Sequence, residues 1–173
     1  MSQASKAISA LSRSKDYTCA ALGPKPISYL IKMGAQIELS RRLRWADTDA
    51  TGRLHFPRIF EIVEEAESEL LRSIDWPVGI NEAEYDLPRV HVDCRFLRPI
   101  IHDSQFRLQL SVNKLGRSSI QYKFQVFDEF NALAIDGSMT VVTSRNGTPT
   151  EIPPALRRAL AGDLSQSKLG IDR

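Results

Sequence analysis

From residue 35 to residue 143 the chain alternates apolar and polar positions, and the period of the alternation changes along the way. Ala35, Ile37, Leu39, Leu43 and Trp45 fall on one side of a period-two pattern, with Arg41 as the exception. Gln36, Glu38, Ser40, Arg42 and Arg44 fall on the other. This predicts a half-buried strand over 35–45. Asp47 to Gly52 then reads as a turn. From about Pro57 to Ile74 the period lengthens to that of a helix, with Ile59, Phe60, Val63, Ala66, Leu70 and Ile74 on the apolar face. Pro57 suits the first helical position, where an N–H would be unpaired anyway. Pro77 and Gly79 are expected to end the helix. Period two returns four times: Val90 to Phe96, Phe106 to Val112, Ile120 to Val126, and about Leu133 to Thr143. The breakers Pro99, Asp103, Gly116, Asp128 and Asn131 stand between these runs.

The order strand, helix, four strands predicts an α+β architecture. An antiparallel sheet with one covered face alternates in this way, and the helix must bury its stripe against that face. About five strands wrapped around one long central helix is the hotdog fold. Its sheet edges are open, so edge-to-edge pairing into a homodimer or homotetramer is expected.

The hotdog domain is expected over 34–154. Residues 1–33 are rich in Ser, Ala and Lys, hold one acidic residue, Asp16, and keep no period. Lys6, Arg13, Lys15 and Lys25 interrupt every candidate secretion segment. The Ser and basic bias resembles an organelle transit peptide; the plainer expectation is a poorly ordered extension, with the natural start at Met33. The segment 155–173 is expected to be a peripheral tail, with a short helix over Ala155–Ala161. The whole chain has 173 residues, 42% hydrophobic and 25% charged, with a net charge of +2. That suffices for one core and gives no clustered basic face for nucleic acid. No apolar run reaches the length of a membrane span. Cys19 and Cys94 form neither a metal-ligand spacing nor a CxxC pair, which fits reduced thiols in a cytoplasmic protein.

The candidate chemistry lies between the first strand and the helix. Arg44-Trp45-Ala46-Asp47-Thr48-Asp49-Ala50-Thr51-Gly52, then Leu54-His55-Phe56 and the helix Ile59 to Ala66, resembles the signature of the 4-hydroxybenzoyl-CoA thioesterase family. Val112 to Ser119 resembles that family's later hairpin. The resemblance covers about residues 35–145. It implies hydrolysis of an acyl-CoA thioester without metal or cofactor, with Asp49 as the catalytic carboxylate and the Phe56 backbone N–H polarising the thioester carbonyl. The link Arg53-Leu54-His55 departs from the family pattern, so acyl preference does not carry over.

The chemistry is physically reasonable. A thioester oxygen gains negative charge as it is attacked, and an N–H at a helix N-terminus stabilises it. A neighbouring carboxylate can attack the carbonyl or activate a water; the sequence leaves both open. The plain alternative is that Asp47 and Asp49 only cap turns, and Asp47 is expected to be structural. His55 is a candidate for holding water or acyl group, or else a packing residue. Glu64 is a second candidate base, since some hotdog branches use a helix glutamate; its neighbours Glu61, Glu67 and Glu69 are expected to be solvated. Lys114, Arg117 and Ser118 are candidates for the coenzyme A phosphates, usually across a subunit boundary in the family, with Arg95 and Arg145 as further basic candidates. Arg41 is expected to pair with a helix glutamate. Competing functions are an acyl-CoA-binding hotdog module without turnover and an acyl-carrier-protein thioesterase. Enoyl-CoA hydration needs an Asp/His dyad on another loop, which the sequence lacks.

Overall fold

A computed structural model describes residues 34–76 and 85–162. The expectations for 1–33, for Pro77 and Gly79, and for the end beyond Gly162 lie outside the described residues. Five strands form one antiparallel sheet: β1 (Gln36–Arg42), β2 (Arg89–Phe96), β3 (Gln105–Leu115), β4 (Ser119–Asp128) and β5 (Leu133–Val142). Their order across the sheet is β1-β3-β4-β5-β2. One row of neighbours crosses all five strands: Ile37, Leu110, Phe124, Gly137 and Cys94. Gly137 is required there, because a Cβ would stand 2.3 Å from Phe124 Cζ and 2.5 Å from the Asp93 carbonyl oxygen. Burial pushes the Cys94 thiol up to about 11.

Period-two alternation becomes burial on β3, β4 and β5. Phe106, Leu108, Leu110, Ile120, Tyr122, Phe124 and Val126 are all buried, each aliphatic side chain stabilising by roughly 1.5–3 kcal/mol. The helix α1 (Arg58–Ser73) packs chiefly on β1 and β3. It ends before Pro77. Asp75 adopts φ 56°, its N–H donates to Arg72 O, and the Trp76 N–H donates to Leu71 O. These are the paired bonds of a left-handed helix stop.

Four expectations about facing are corrected. The alternation of 35–45 overruns the strand: after Arg42 the chain turns into a 3-10 helix over Trp45–Asp47, so Trp45 is exposed, edge-on to His102. On α1, Ile62 and Leu71 are buried while Phe60 is part-exposed. Glu67, expected in solvent, is buried. Val90, Val92 and Phe96 of β2 are exposed and only Cys94 is half-buried, because β2 is an edge strand that α1 scarcely covers.

The segment past Pro154 is not peripheral up to residue 160. Helix α2 (Pro154–Leu160) buries Leu156 and Leu160, and the Leu160 carbonyl accepts the Ala35 N–H at 2.8 Å. A hairpin of β6 (Ser144–Arg145) and β7 (Thr148–Pro149) precedes it. Among the described residues no helix is long and apolar enough to cross a membrane.

Candidate active site

The segment between β1 and α1 folds back on itself. Thr48 and Leu54 form an isolated bridge. Inside it the Asp49 N–H donates to Arg53 O at 2.8 Å, and the Gly52 N–H donates to Asp49 O at 3.0 Å. Gly52 sits at φ 72°, which explains the glycine of the motif. The loop is pinned to the segment before β3: His102 N–H donates to Gly52 O, and Leu54 N–H to Ile100 O.

The two aspartates have different surroundings. Asp47 is buried. Its carboxylate takes Arg44 Nε at 2.8 Å and Nη2 at 3.2 Å, and Arg58 Nη2 at 2.6 Å and Nε at 3.0 Å. Arg44, then Arg58, hold it below the usual carboxylate range against burial. Its backbone carbonyl also accepts the His55 N–H at 2.9 Å. Asp47 therefore ties the 3-10 turn to the first turn of α1.

Asp49 is reached by solvent. Its Oδ1 accepts the Thr51 hydroxyl at 2.6 Å, the Thr51 N–H at 2.7 Å and, weakly, the Arg53 N–H at 3.5 Å. The Thr51 hydroxyl and amide lower its pKa, so the group is an anion at neutral pH. Oδ2 accepts no hydrogen bond among the described residues.

Next along the chain, the N–H groups of Leu54, His55 and Arg58 all find carbonyl partners. The Phe56 N–H has no partner among the described residues, and it lies just ahead of Pro57, the residue capping α1. Asp49 and Phe56 line one cleft of about 350 Å³ with Leu54, Phe96, Leu97, Pro99, Ile100 and Ile135, plus Arg53 and Arg98. A residue with an anionic oxygen free of hydrogen bonds and a residue with an unused amide thus line one largely apolar recess.

The other sequence candidates lie elsewhere. The His55 ring packs edge-on to Phe56 at 5.6 Å and does not line the cleft. Glu64 lies on the outer face of α1 in a separate groove, 3.4 Å from Arg89. Arg41 does pair with a helix glutamate, Glu65, at 2.5 Å. Lys114, Arg117 and Ser118 sit at the β3–β4 hairpin, whereas the cleft meets the sheet at the opposite end of β3. The cleft residue Ile135 is level with Val126 and Leu108, so about seven residues of β3, from Leu108 to Leu115, at roughly 3.3 Å each separate them within one chain. The Arg117 carbonyl is fixed by Ile152 N–H and Arg157, and the Ser118 carbonyl by Thr143. Arg95 is taken by Asp136 at 2.5 Å. Sequence reasoning missed Thr51 as the partner of Asp49; a Thr two residues after an Asp is a turn signal that would have found it. Nor did it place Arg53 and Arg98 in the lining of this cleft.

Comparison with known proteins bears on this cleft. A 1,4-dihydroxy-2-naphthoyl-CoA hydrolase from Crocosphaera subtropica is 27% identical over 128 residues, covering 73% of this chain and 89% of that protein. A hypothetical protein from Aquifex aeolicus superposes with a TM-score of 0.68 at 25% identity, over 72% of this chain and 98% of its own. A 1,4-dihydroxy-2-naphthoyl-CoA thioesterase from Synechocystis superposes with a TM-score of 0.66 at 20% identity, over 75% and 97%; at that identity the likeness is one of fold. The family model of the thioesterase-like superfamily matches residues 43–160, which begin just before the Asp47–Gly52 loop and end with α2. With that match over the loop, four of the five strands of the sheet and both helices, the chain belongs to the thioesterase-like superfamily.

Proposed function

We propose that the protein hydrolyses an acyl-CoA thioester, with an aromatic acyl group favoured, on a hotdog fold whose sheet wraps around α1. The observation that carries the reading is the pair of unused groups on one cleft: Asp49 Oδ2 and the Phe56 N–H. With the carbonyl oxygen on the Phe56 amide, charge developing in attack meets an oriented donor at the start of α1. Asp49 then either adds to the carbonyl carbon or takes a proton from a water that adds. The C–S bond breaks, the thiolate leaves as coenzyme A, and water supplies the oxygen of the free acid. The aromatic preference is supported by the Phe56 and Phe96 rings and by the aroyl-CoA hydrolase relative.

In this reading the active unit is a dimer made across β2, which brings the Lys114–Ser118 hairpin of a second copy toward the cleft for the nucleotide. The support is the uncovered apolar face of β2 and the gap along β3 within one chain.

The test is a panel of aroyl- and alkanoyl-CoA thioesters with release of free thiol as readout. Cleavage of at least one aroyl thioester is expected, with Asp49→Asn at least a hundredfold slower, the usual scale of a lost acid–base group. Equal rates for Asp49→Asn and wild type would remove Asp49 from the mechanism. Binding of acyl-CoA without turnover would leave the binding-module reading.

A further inference from the structure

Most arginines of the described chain are spoken for. Arg41, Arg42, Arg44, Arg58, Arg72, Arg89, Arg95 and Arg107 each hold a carboxylate. Arg53 and Arg98 make no such pair, and both line the cleft that holds Asp49 and Phe56. Their backbones are fixed. Arg53 O accepts the Asp49 N–H, and Arg53 bridges Ile101; the Arg98 N–H donates to Ala134 O at 3.1 Å. Both arginines thus line, from anchored chain, a recess whose other lining residues are apolar apart from Asp49, with Ile100 and Ile135 buried. Asp49 is the only carboxylate in that lining, and its Oδ1 already accepts three donors, none of them a guanidinium.

We infer that Arg53 and Arg98 form a receptor for an oxyanion carried by the substrate, and so select among acyl groups. Guanidinium forks bind carboxylate, phenolate or phosphate oxygens in pairs. Either a substituent on the acyl group or a phosphate of the thiol carrier would supply that oxygen. The walls favour the acyl source: a recess of about 350 Å³ backed by Leu54, Ile100 and Ile135 suits a ring better than a hydrated nucleotide. The two cations also offset a cost. A negatively charged acyl group next to the Asp49 carboxylate would be repelled without these two cations.

The inference rests on Asp49 and Phe56 being the cleaving pair, so the experiment separates the two. Wild type, Arg53→Gln, Arg98→Gln and the double variant are assayed with benzoyl and 4-carboxybenzoyl thioesters, each on coenzyme A and on N-acetylcysteamine, which has no phosphate. The same proteins are titrated by calorimetry with benzoate and terephthalate, which needs no turnover. The expected result is a loss of about tenfold to a hundredfold in kcat/KM for 4-carboxybenzoyl on both carriers in the double variant, the range of a lost charge-assisted bond. Benzoyl should stay within about twofold, and terephthalate binding should weaken in parallel. A loss seen with every coenzyme A thioester and absent with N-acetylcysteamine supports the receptor and assigns it to a carrier phosphate. Unchanged kinetics and unchanged terephthalate binding overturn it. Arginine-dependent terephthalate binding without hydrolysis of any thioester supports the receptor while the thioesterase reading fails.

Discussion

Thr51 gives both its hydroxyl and its backbone N–H to the same oxygen of Asp49, at 2.6 and 2.7 Å, and leaves the other oxygen without a hydrogen bond among the described residues. The arrangement fixes the carboxylate in one rotamer and favours its ionised form. Asp49 is accordingly held below the usual carboxylate range, with the Thr51 hydroxyl the largest cause. A depressed pKa keeps the group deprotonated and usable well into mild acid. Thr51→Val removes the hydroxyl bond and retains the amide bond and the shape. The acid limb of kcat/KM against pH is expected to move to higher pH in Thr51→Val, with the plateau at pH 8 lowered by less than about tenfold, one neutral-donor bond. An acid limb identical in the two proteins would show that Asp49 is not the group whose ionisation sets it.

How much of this was legible in the sequence depends on whether a residue's fate is local. Leu108, Leu110, Phe124 and Val126 alternate because the pleat alternates, so their burial could be read directly. The role of Gly52 follows from the turn around it. Trp45 could not be placed, because its alternation continues past the point where the strand becomes a 3-10 turn. Nor could the exposed faces of Val90 and Val92, which depend on where α1 lies over the sheet. The partner of Glu67 is 22 residues away, at Arg89, and nothing in the helix pattern announces it. Arg53 and Arg98 become neighbours only because the segments 53–54 and 98–101 run together beside β5.

Asp47 fastens the 3-10 turn to the first turn of α1. Two arginines, Arg44 from the 3-10 turn and Arg58 from α1, converge on one buried carboxylate. Asp47→Asn keeps the shape and removes the charge. It is expected to cost roughly 1–3 kcal/mol, the range for breaking a buried charge-assisted network, read as a lower midpoint in urea. The folded-state pKa is depressed, so the stabilisation is present above the unfolded carboxylate value and is lost as pH falls through the folded one. The stability difference between Asp47→Asn and wild type should therefore shrink toward acid. A difference that does not change from pH 7 to pH 3 would contradict the ion-pair account.

Glu67 behaves in the opposite sense. Its side chain is 4% exposed, one oxygen pairs with Arg89 at 2.6 Å, and the other has no partner. The Tyr122 hydroxyl, also buried, has none either. Burial, opposed by Arg89 and reinforced by Glu64, pushes Glu67 up to about 7. A raised carboxyl pKa means the folded state binds the proton more tightly. Stability then declines as pH rises from the unfolded value near 4.5 to about 7 and is flat beyond. The decline amounts to about 3 kcal/mol at 1.36 kcal/mol per pH unit. Glu67→Gln should abolish that slope in chemical denaturation between pH 5 and 8. Tyr122→Phe should be neutral or stabilising by about 1 kcal/mol, since it removes an unpaired buried hydroxyl. A clear destabilisation in Tyr122→Phe would mean that a partner, such as a bound water, satisfies the hydroxyl.

The edge of the sheet offers the last prediction. β1 turns Gln36, Glu38, Ser40 and Arg42 toward solvent, charges and polar groups that discourage further pairing. β2 at the other edge shows Val90 at 58% and Val92 at 41% exposure, with Phe96 beyond them. Exposed valines on an edge strand are the surface that an antiparallel second copy would cover, and Phe96, a wall of the Asp49 cleft, lies on the same strand. Lysines at both valine positions are expected to leave the β2–β5 pairing intact, because both side chains are exposed, but they place four like charges face to face when two copies meet. The double variant Val90→Lys, Val92→Lys is expected to sediment as a monomer with an unchanged far-UV dichroism spectrum. It should also lose most thioesterase activity, since the hairpin of the second copy would not be in place. A double variant that remains a dimer would move the assembly to another face. One that is monomeric but fully active would confine the whole site to a single chain.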